Sequence, residues 1–376
     1  MNLLRRDFLK TGLAVGAGAL LSRLANLVNA QSNHDLSTMA STTAPQSTHG
    51  GNMTVGSVDP ATNGFDPMRL LTDWDYGRVS TLPNGQTLRE YTITAVDKEI
   101  EVAPGIFFPA WTYNGRVPGP TIRATEGDRL RINFVNGGSH PHTIHFHGIH
   151  PAEMDGTALP ENGGEVQPGE IFVYEFDAEP FGCHLYHCHA VSLKRHIHKG
   201  LYGAFIIDPK DGREAAREFV MVMNAFDTNF DNGNEVYAVN TVGFEFANRP
   251  IPIKVGELVR IYLVNILEFD LLNSFHLHAN FFDYYDHGTS MTPTLKTVDT
   301  ISQVQGQRGI LEFRYKFPGK FMFHPHVSEF TELGWMGLFN VVKEEDFATA
   351  LTAVGMDATW DKRGLNGSTV PWKVTT

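Results

Sequence analysis

Four His-x-His pairs stand out among the seventeen histidines of this 376-residue sequence. The pairs are His145-Phe146-His147, His187-Cys188-His189, His276-Leu277-His278 and His324-Pro325-His326. Alternate side chains of a strand share a face, so each pair presents two imidazoles on one face of an extended segment. Imidazole binds copper, zinc, iron and nickel, and a thiolate such as Cys188 narrows the choice to copper, zinc or iron–sulfur clusters. The alternative is that these histidines form ordinary pairs with carboxylates on exposed strands. That alternative would not explain why all four pairs have the same spacing, so the pairs predict metal centres.

The segment around the central cysteine recurs later in the chain without the cysteine. Residues 182–189 align with residues 319–326, and the same offset takes Gly200 to Gly337. Residues 127–136 similarly resemble residues 256–265, and both runs alternate in the manner of strands. The chain is therefore predicted to contain two copies of one β-domain.

Differences between the two copies predict where a single copper ion would bind. A blue-copper site needs two histidines, one cysteine and a weak or absent axial ligand. The first copy offers His142, Cys188 and His196, with Leu201 at the axial position. The second copy has Asn273, Pro325, Leu333 and Leu338 at the equivalent positions. Only the first copy is therefore predicted to hold a blue-copper centre, whereas both copies keep their histidine pairs.

These motifs make the chain resemble the multicopper oxidases, specifically the two-domain bacterial laccase-like type with its blue copper in the first domain. His142, His145 and His147 are spaced like the three histidines of the family pattern His-Pro-x-His-x-His. The proline differs, because Pro141 precedes the first histidine here instead of following it. The pattern His-Cys-His followed by His-x-x-x-Gly-(Leu/Met) matches residues 187–189 and 196–201. The resemblance covers about residues 88–343 and implies an all-β fold of two cupredoxin-like Greek-key β-sandwich domains.

The resemblance also implies four copper ions per chain. His142, Cys188 and His196 would bind the type 1 copper, with Leu201 axial, a substitution that the family links to a higher reduction potential. His198 competes with His196, but only His196 keeps the family spacing to the following glycine. The type 2 copper would be bound by two histidines, His145 and His276. The type 3 pair of copper ions would be bound by the other six paired histidines: His147, His187, His189, His278, His324 and His326.

Carboxylates near the copper cluster are expected to matter because the reduction of dioxygen to water consumes protons. Asp155 matches a family aspartate that follows the first-domain pair, and we predict that it handles protons; the alternative is a turn aspartate. Glu329 is predicted as the second acid, with Glu332 as the alternative, and both glutamates depart from the family spacing. Cys188, which would carry electrons, completes the predicted set of catalytic residues. Cys183 is predicted to be a small buried or edge residue rather than a disulfide partner.

The N-terminus indicates export. Arg5 and Arg6 precede an apolar run that ends near Ala30, which is typical of a twin-arginine signal and predicts a periplasmic location. Residues 31–87 are predicted to be a flexible segment, residues 88–209 and 214–343 the two domains, and residues 344–376 a short helix and tail. No stretch is long enough to span a membrane. The formal charge of −12 argues against non-specific nucleic-acid binding.

The ligand census predicts an assembly as well as a reaction. Each domain supplies four of the eight cluster histidines, and by resemblance we predict a homotrimer with clusters between neighbouring subunits, closed as a ring. The predicted reaction is one-electron oxidation of phenols, aromatic amines or metal ions, coupled to reduction of dioxygen to water. A copper nitrite reductase, to which the spacer from Cys188 to His196 is closer, and a non-enzymatic copper protein are the alternatives.

Overall fold

The computed structural model describes residues 56–357 and 359–360. Within these residues the secondary structure is dominated by strands, and every helix is seven residues long or shorter. The all-β prediction is therefore confirmed. No helix in the described part of the chain is long and apolar enough to cross a membrane.

The first domain packs two sheets against each other. One sheet has the strand order β1-β5-β10-β9-β7, and the other has the order β2-β3-β6-β8, with β4 paired to β3. The strands are β1 (Trp74–Asp75), β2 (Arg78–Thr81), β3 (Thr87–Ala103), β4 (Ile106–Tyr113), β5 (Thr121–Thr125), β6 (Arg129–Asn136), β7 (His145–Phe146), β8 (Ile171–Asp177), β9 (Gly182–His187) and β10 (Tyr202–Asp208). The helices up to β10 are α1 (Pro60–Asn63), α2 (Pro67–Leu70) and α3 (Leu193–His198), with 3₁₀ turns at Ala152–Met154 and Pro160–Asn162.

The second domain repeats the plan with sheets β12-β11-β14-β19-β16-β17 and β13-β21-β20-β15-β18. Its strands are β11 (Arg217–Phe226), β12 (Val236–Val239), β13 (Ile251–Lys254), β14 (Val259–Asn265), β15 (Leu272–Leu277), β16 (Phe282–Asp286), β17 (Leu295–Val298), β18 (Thr300–Val304), β19 (Arg308–Phe313), β20 (Gly319–His324) and β21 (Gly337–Val342). The helices are α4 (Glu245–Asn248), α5 (Ser328–Glu332) and α6 (Phe347–Ala353), with a 3₁₀ turn at Glu344–Asp346.

Burial along the strands explains why they hold their positions. In β6, Leu130, Ile132 and Phe134 are fully buried and alternate with partly exposed residues, as expected for a strand with one face on a core. All ten residues of β11 are instead buried. One side of β11 packs into the second-domain core, and Val220 and Val222 on the other side pack in one cluster with residues of the first domain. The two domains therefore share a continuous apolar interface.

A buried ionic network crosses the same interface. Glu218 on β11 accepts hydrogen bonds from Arg123 of the first domain (Nη1 to Oε2, 2.6 Å) and from Arg260 of β14 (Nη1 to Oε1, 2.9 Å). The Asp208 carboxylate accepts two further hydrogen bonds from Arg123, from Nε at 2.8 Å and from Nη2 at 2.9 Å. The three central side chains are almost completely buried, so each charge depends on the others for compensation.

Residues 56–87 differ from the predicted flexible segment. They form α1, α2, β1 and β2, and Met68 and Leu71 are fully buried in the second-domain core. Each short helix begins with a proline and is capped by an aspartate, Asp59 or Asp66, whose side chain accepts a backbone N–H hydrogen bond. The rest of the segment, residues 31–55, lies outside the described residues, as do the signal peptide and most of the C-terminal tail.

Replacing Leu71 by alanine tests whether this segment is part of the folded core. We expect the free energy of unfolding to fall by about 2–5 kcal/mol, because a fully buried leucine leaves a cavity when it is truncated. Chemical denaturation measures the loss. Leu295→Ala, at a leucine that is 45% exposed, is the matched control and is expected to change stability little. Equal effects of the two substitutions would contradict the structure of this segment.

Candidate metal centres

His142, Cys188 and His196 converge in the first domain. His142 lies in the loop before β7, Cys188 follows β9 directly, and His196 belongs to α3. The Cys188 sulfur is 3.2 Å from Nδ1 of His196 and 3.9 Å from Nδ1 of His142, and the two Nδ1 atoms are 3.2 Å apart. All three side chains are buried, and Cys188 is not in a disulfide. Two imidazole nitrogens and one sulfur thus face a common point, the donor set of a blue-copper site.

The protonation states of these three residues suit a metal ion. Burial lowers the pKa of His142 to about 3 and that of His196 to about 4, so both imidazoles are neutral and can offer a lone pair. Burial raises the pKa of the Cys188 thiol to about 11, so a bound cation is needed to favour the thiolate. The Thr143 amide donates to the sulfur at 3.3 Å, which also favours negative charge there.

Leu201 brings no donor atom to this site. Its side chain is fully buried in the same apolar cluster as Cys188, and its carbonyl accepts the Cys188 amide at 2.9 Å. The competitor His198 lies elsewhere: it packs edge-on against Phe108, and its Nε2 accepts the Asp227 amide at 3.0 Å. The structure therefore brings His196, and not His198, to the cysteine.

Replacing Leu201 by methionine is expected to lower the reduction potential of the type 1 copper, because the thioether adds a soft axial donor. The fold should tolerate the change, since leucine-to-methionine exchange usually costs less than about 1.5 kcal/mol. A redox titration of the blue absorption measures the shift. Leu338→Met, at the equivalent position of the second domain, is the control and should leave the potential unchanged. An unaltered potential in Leu201→Met would contradict the axial assignment.

The four paired histidines of the first domain form one cluster. His145 on β7 lies directly opposite His187 on β9, and their ring centroids are 5.3 Å apart. Nε2 of His147 lies 3.2 Å from Nε2 of His187. His189 completes the set, with its ring centroid 5.5 Å from that of His145. We call these four residues the first half-cluster.

The second domain repeats this geometry in a second half-cluster. His276 on β15 lies directly opposite His324 on β20, which is the same register as in the first domain. Nε2 of His278 lies 2.9 Å from Nε2 of His324, and the ring centroid of His326 is 4.6 Å from that of His276. The internal repeat in the sequence thus corresponds to two matching sets of imidazoles.

Backbone carbonyls orient half of these rings. Four histidines have Nδ1 within hydrogen-bond distance of a main-chain oxygen: His145 with Asp155 (2.7 Å), His187 with Cys188 (3.0 Å), His276 with Asp299 (2.9 Å) and His324 with Pro325 (2.7 Å). A carbonyl can only accept, so Nδ1 must carry the proton. Nε2 of each ring therefore keeps its lone pair for a metal ion, as is typical of histidine ligands.

The two half-clusters do not combine within one chain. Among the described residues, each group of ligand atoms lying within 4.8 Å of one another draws on a single domain. Three histidines of the second half-cluster are partly exposed, and His326 is exposed. A single subunit therefore presents two incomplete sets of imidazoles.

Asp155 lies beside the first half-cluster, whereas Glu329 does not contact the second. The Asp155 carboxylate is 3.2 Å from Nδ1 of His145 and accepts a hydrogen bond from Asn162 at 3.1 Å. Glu329 is exposed on α5 and makes no side-chain hydrogen bond or ion pair with a described histidine. The equivalent acid is Asp299, whose carboxylate lies 4.0 Å from Nδ1 of His276. We therefore replace Glu329 by Asp299 as the second candidate acid.

Two residues at the half-clusters were missed by sequence reasoning. Asp299 sits between β17 and β18, where the spacing of the two repeats has already diverged. Arg308 reaches from the second domain into the first, and its Nη1 lies 3.3 Å from Nδ1 of His147. No local motif marks either residue. Extending the repeat alignment by matching aspartates would have found Asp299, but nothing in the sequence indicates the contact of Arg308.

Cys183 is a free, fully buried cysteine in the cluster that joins the two domains. Burial raises the pKa of its thiol to about 12, so it stays protonated. It contributes apolar packing, in agreement with the prediction of a small buried residue, and forms no disulfide.

Comparison with known proteins identifies the family. Two family models described as multicopper oxidase match residues 96–212 and 216–345. A multicopper oxidase of known crystal structure is 59% identical in sequence to this chain and superposes on it with a TM-score of 0.74. The match covers 76% of this chain and all of that one. This chain is a two-domain multicopper oxidase. Residues 5–22 of this multicopper oxidase match the twin-arginine signal sequence, which supports export to the periplasm.

Copper nitrite reductases are also relatives of this multicopper oxidase. The enzyme from Neisseria gonorrhoeae is 30% identical over 257 residues, a match that spans 61% of this chain and 62% of the length of that protein. The structure of the nitrite reductase from Nitrosomonas europaea is 26% identical, with a TM-score of 0.62 over 68% of this chain and 95% of that one. Family membership alone therefore leaves the reaction to be decided by the site.

Proposed function

We propose that this multicopper oxidase couples one-electron oxidation of phenols, aromatic amines or metal ions to the four-electron reduction of dioxygen to water. The observation that carries the proposal is the presence of two matching half-clusters in addition to a separate site of two histidines and one cysteine. Eight imidazoles suit a cluster of three copper ions, whereas a nitrite reductase needs only three histidines at its catalytic copper. Copper, when bound, supplies reversible one-electron transfer and the place where dioxygen is reduced.

Cys188 is suited to connect the two kinds of site. Its sulfur faces His142 and His196, and its backbone neighbours His187 and His189 belong to the first half-cluster. The bond from Nδ1 of His187 to the Cys188 carbonyl adds a second, shorter link. Electrons that arrive at the sulfur therefore have a path of a few covalent bonds and one hydrogen bond to the cluster.

Asp155 and Asp299 are suited to deliver protons. The main-chain carbonyl of each aspartate accepts a hydrogen bond from Nδ1 of a cluster histidine, and its carboxylate lies close to the same ring. Both carboxylates are partly exposed, at 27% and 49%, so they can exchange protons with solvent. A carboxylate that touches both water and a cluster ligand is placed to pass on the protons that dioxygen reduction consumes.

We also propose a homotrimer with four copper ions per chain, on the resemblance to two-domain multicopper oxidases, and the two separate half-clusters support an assembly of this kind. The proposed assembly sets the first half-cluster of one subunit against the second half-cluster of the next, and three head-to-tail contacts close the ring. Exposed apolar residues support an interface there: Leu272 lies on β15 with His276, and Phe281 follows His278 by three residues. A copper-loaded monomer that reduces dioxygen would exclude this assembly.

Oxygen uptake tests the proposed reaction. Purified, copper-loaded protein is supplied with ferrocyanide, and we expect four ferrocyanide ions to be oxidised for each dioxygen consumed, with no hydrogen peroxide released. Uptake that yields peroxide, or no uptake with a phenol, an aromatic amine or ferrocyanide, would contradict the proposal. The second outcome would favour a non-enzymatic copper protein.

Nitrite reduction is the second candidate, favoured by the relatives at about 30% identity. The same protein is therefore assayed without oxygen, with nitrite and a reduced donor. We expect no nitric oxide beyond that of the copper-free protein. Nitric oxide production faster than oxygen uptake would assign the chain to that reaction instead.

A further inference from the structure

Thr143 lies between the type 1 residues and the first half-cluster, and its polar groups contact both. Its backbone N–H donates to the Cys188 sulfur at 3.3 Å, whereas its hydroxyl accepts a hydrogen bond from the backbone N–H of His189 at 2.8 Å. The hydroxyl also lies 3.9 Å from the sulfur. Thr143 is fully buried, and its carbonyl accepts the Tyr113 hydroxyl at 2.5 Å. One buried residue thus touches a type 1 ligand and a cluster histidine.

The second domain separates these two contacts, because it lacks the cysteine. Ser274 takes the place of Thr143, two residues before the first histidine of its pair. The Ser274 hydroxyl accepts the backbone N–H of His326 at 2.8 Å, the same length as the bond between Thr143 and His189. The Ser274 N–H has no sulfur to meet and instead donates to the side-chain oxygen of Asn273 at 2.8 Å. The repeat has therefore changed the partner of the amide and kept the partner of the hydroxyl.

The hydroxyl at this position is a feature of this chain rather than of the family pattern. The pattern His-Pro-x-His-x-His has a proline where the first domain has Thr143, and proline offers neither a hydroxyl nor an N–H. Thr143 and Ser274 are both buried. A substitution that removes either oxygen therefore leaves an apolar group against the histidine N–H, which loses a hydrogen bond.

The hydroxyls serve histidines that the backbone carbonyls do not orient. His187 and His324 each have Nδ1 on a main-chain oxygen, at 3.0 and 2.7 Å. His189 and His326, two residues further along, are not among the four rings held in this way. Their main-chain N–H groups are held by Thr143 and Ser274 instead.

We propose that Thr143 and Ser274 are positioning residues of the copper cluster. Each hydroxyl fixes the main chain at the last histidine of its half-cluster and so sets the direction of that imidazole. The inference rests on the proposed function, because it takes the two half-clusters as ligands of one cluster. The amide of Thr143 serves the type 1 sulfur, whereas the two hydroxyls serve the cluster.

Ser274→Ala tests this role in the domain that has no sulfur. The copper-loaded protein is dialysed against buffers of decreasing free Cu²⁺. Non-blue copper is counted as total copper, from elemental analysis, less the blue copper, from absorption. We expect the free Cu²⁺ that half-fills the non-blue sites to rise about tenfold or more, the usual effect of removing a group that orients a metal ligand, while the blue absorption is unchanged.

Two further variants complete this test. Ser274→Thr keeps a hydroxyl and should retain copper as the wild type does, and Ser80→Ala, at an exposed serine of β2, is the control. Half-filling at the same free Cu²⁺ in Ser274→Ala and Ser80→Ala would overturn the proposal. Blue absorption lost in step with the non-blue copper would also overturn it, because a general loss of structure would then explain both.

Thr143→Val extends the test to the first domain. Valine keeps the shape of threonine and the backbone N–H to Cys188, so we expect the blue absorption to be retained and the non-blue copper to be held about tenfold or more weakly. Thr143→Ser keeps the hydroxyl and should behave as the wild type does. Equal copper retention in these two variants would overturn the role of Thr143. The readout is copper content rather than turnover, so a failure of oxygen uptake would overturn the proposed function and leave these comparisons interpretable.

Discussion

Cys188→Ser is expected to abolish the blue absorption and to lower donor-dependent oxygen uptake about a thousandfold or more. A serine hydroxyl is a hard, weak ligand, and His142 and His196 alone do not make a blue-copper site. The half-cluster histidines are untouched, so copper content should fall by one ion per chain rather than to zero. Absorption spectroscopy, elemental analysis and oxygen uptake with ferrocyanide measure the three effects.

Cys183→Ala provides the control for this substitution. Cys183 is buried on β9, the strand that Cys188 follows, but packs between the domains, away from the type 1 histidines. We expect this variant to keep its blue absorption and its copper. Retained activity in Cys188→Ser, or a lost blue absorption in Cys183→Ala, would show that the wrong cysteine has been assigned to copper.

Glu218→Gln is expected to destabilise the protein by about 3–5 kcal/mol. The carboxylate is buried between the guanidinium groups of Arg123 and Arg260, at 2.6 and 2.9 Å. Its removal takes away the negative charge that both cations share and leaves Arg123 to Asp208 and Arg260 to Glu312. Denaturant unfolding at neutral pH measures the change. Glu344→Gln breaks a surface pair with Lys254, in which the glutamate is 77% exposed, and should cost at most about 1 kcal/mol. Similar losses in both variants would contradict the buried network.

The Glu218 contribution should disappear in acid. Burial alone would raise the pKa of Glu218, but the attraction of Arg123 and Arg260 outweighs it and holds the pKa below the ordinary 4.5. A carboxyl whose folded pKa is depressed stabilises the protein fully above its unfolded pKa and loses that contribution as the pH falls through the folded value. The stability gap between wild type and Glu218→Gln should therefore narrow below pH 4.5. A stability gap that widens in acid would contradict a lowered pKa of Glu218 in the folded protein.

The grouping of the paired histidines was predictable because strand geometry converts spacing into position. A His-x-His pair must present both rings on one face, and the repeat placed His145 opposite His187 and His276 opposite His324 in the same way. The candidate type 1 residues were predictable by comparison of the two halves, since Pro325 occupies the position of the cysteine. Such features depend on local periodicity, which the sequence carries directly.

Residues that reach the site from other elements were not predictable in this way. Asp299 approaches His276 from the connection between β17 and β18, and Arg308 approaches His147 from the other domain, so neither position follows from local spacing. The structure does not bring Glu329 to the second half-cluster, because the chain after His326 turns into α5, which leaves that side chain exposed. Composition averaged over residues 31–87 also concealed the two capped helices after residue 59.

Native mass spectrometry of the copper-loaded protein tests the central claim most directly, because it counts subunits and copper ions in one particle. A four-copper oxidase assembled through its half-clusters predicts a trimer that carries four copper ions for each chain. Two copper ions for each chain would contradict this account and assign the eight imidazoles to a simpler catalytic site.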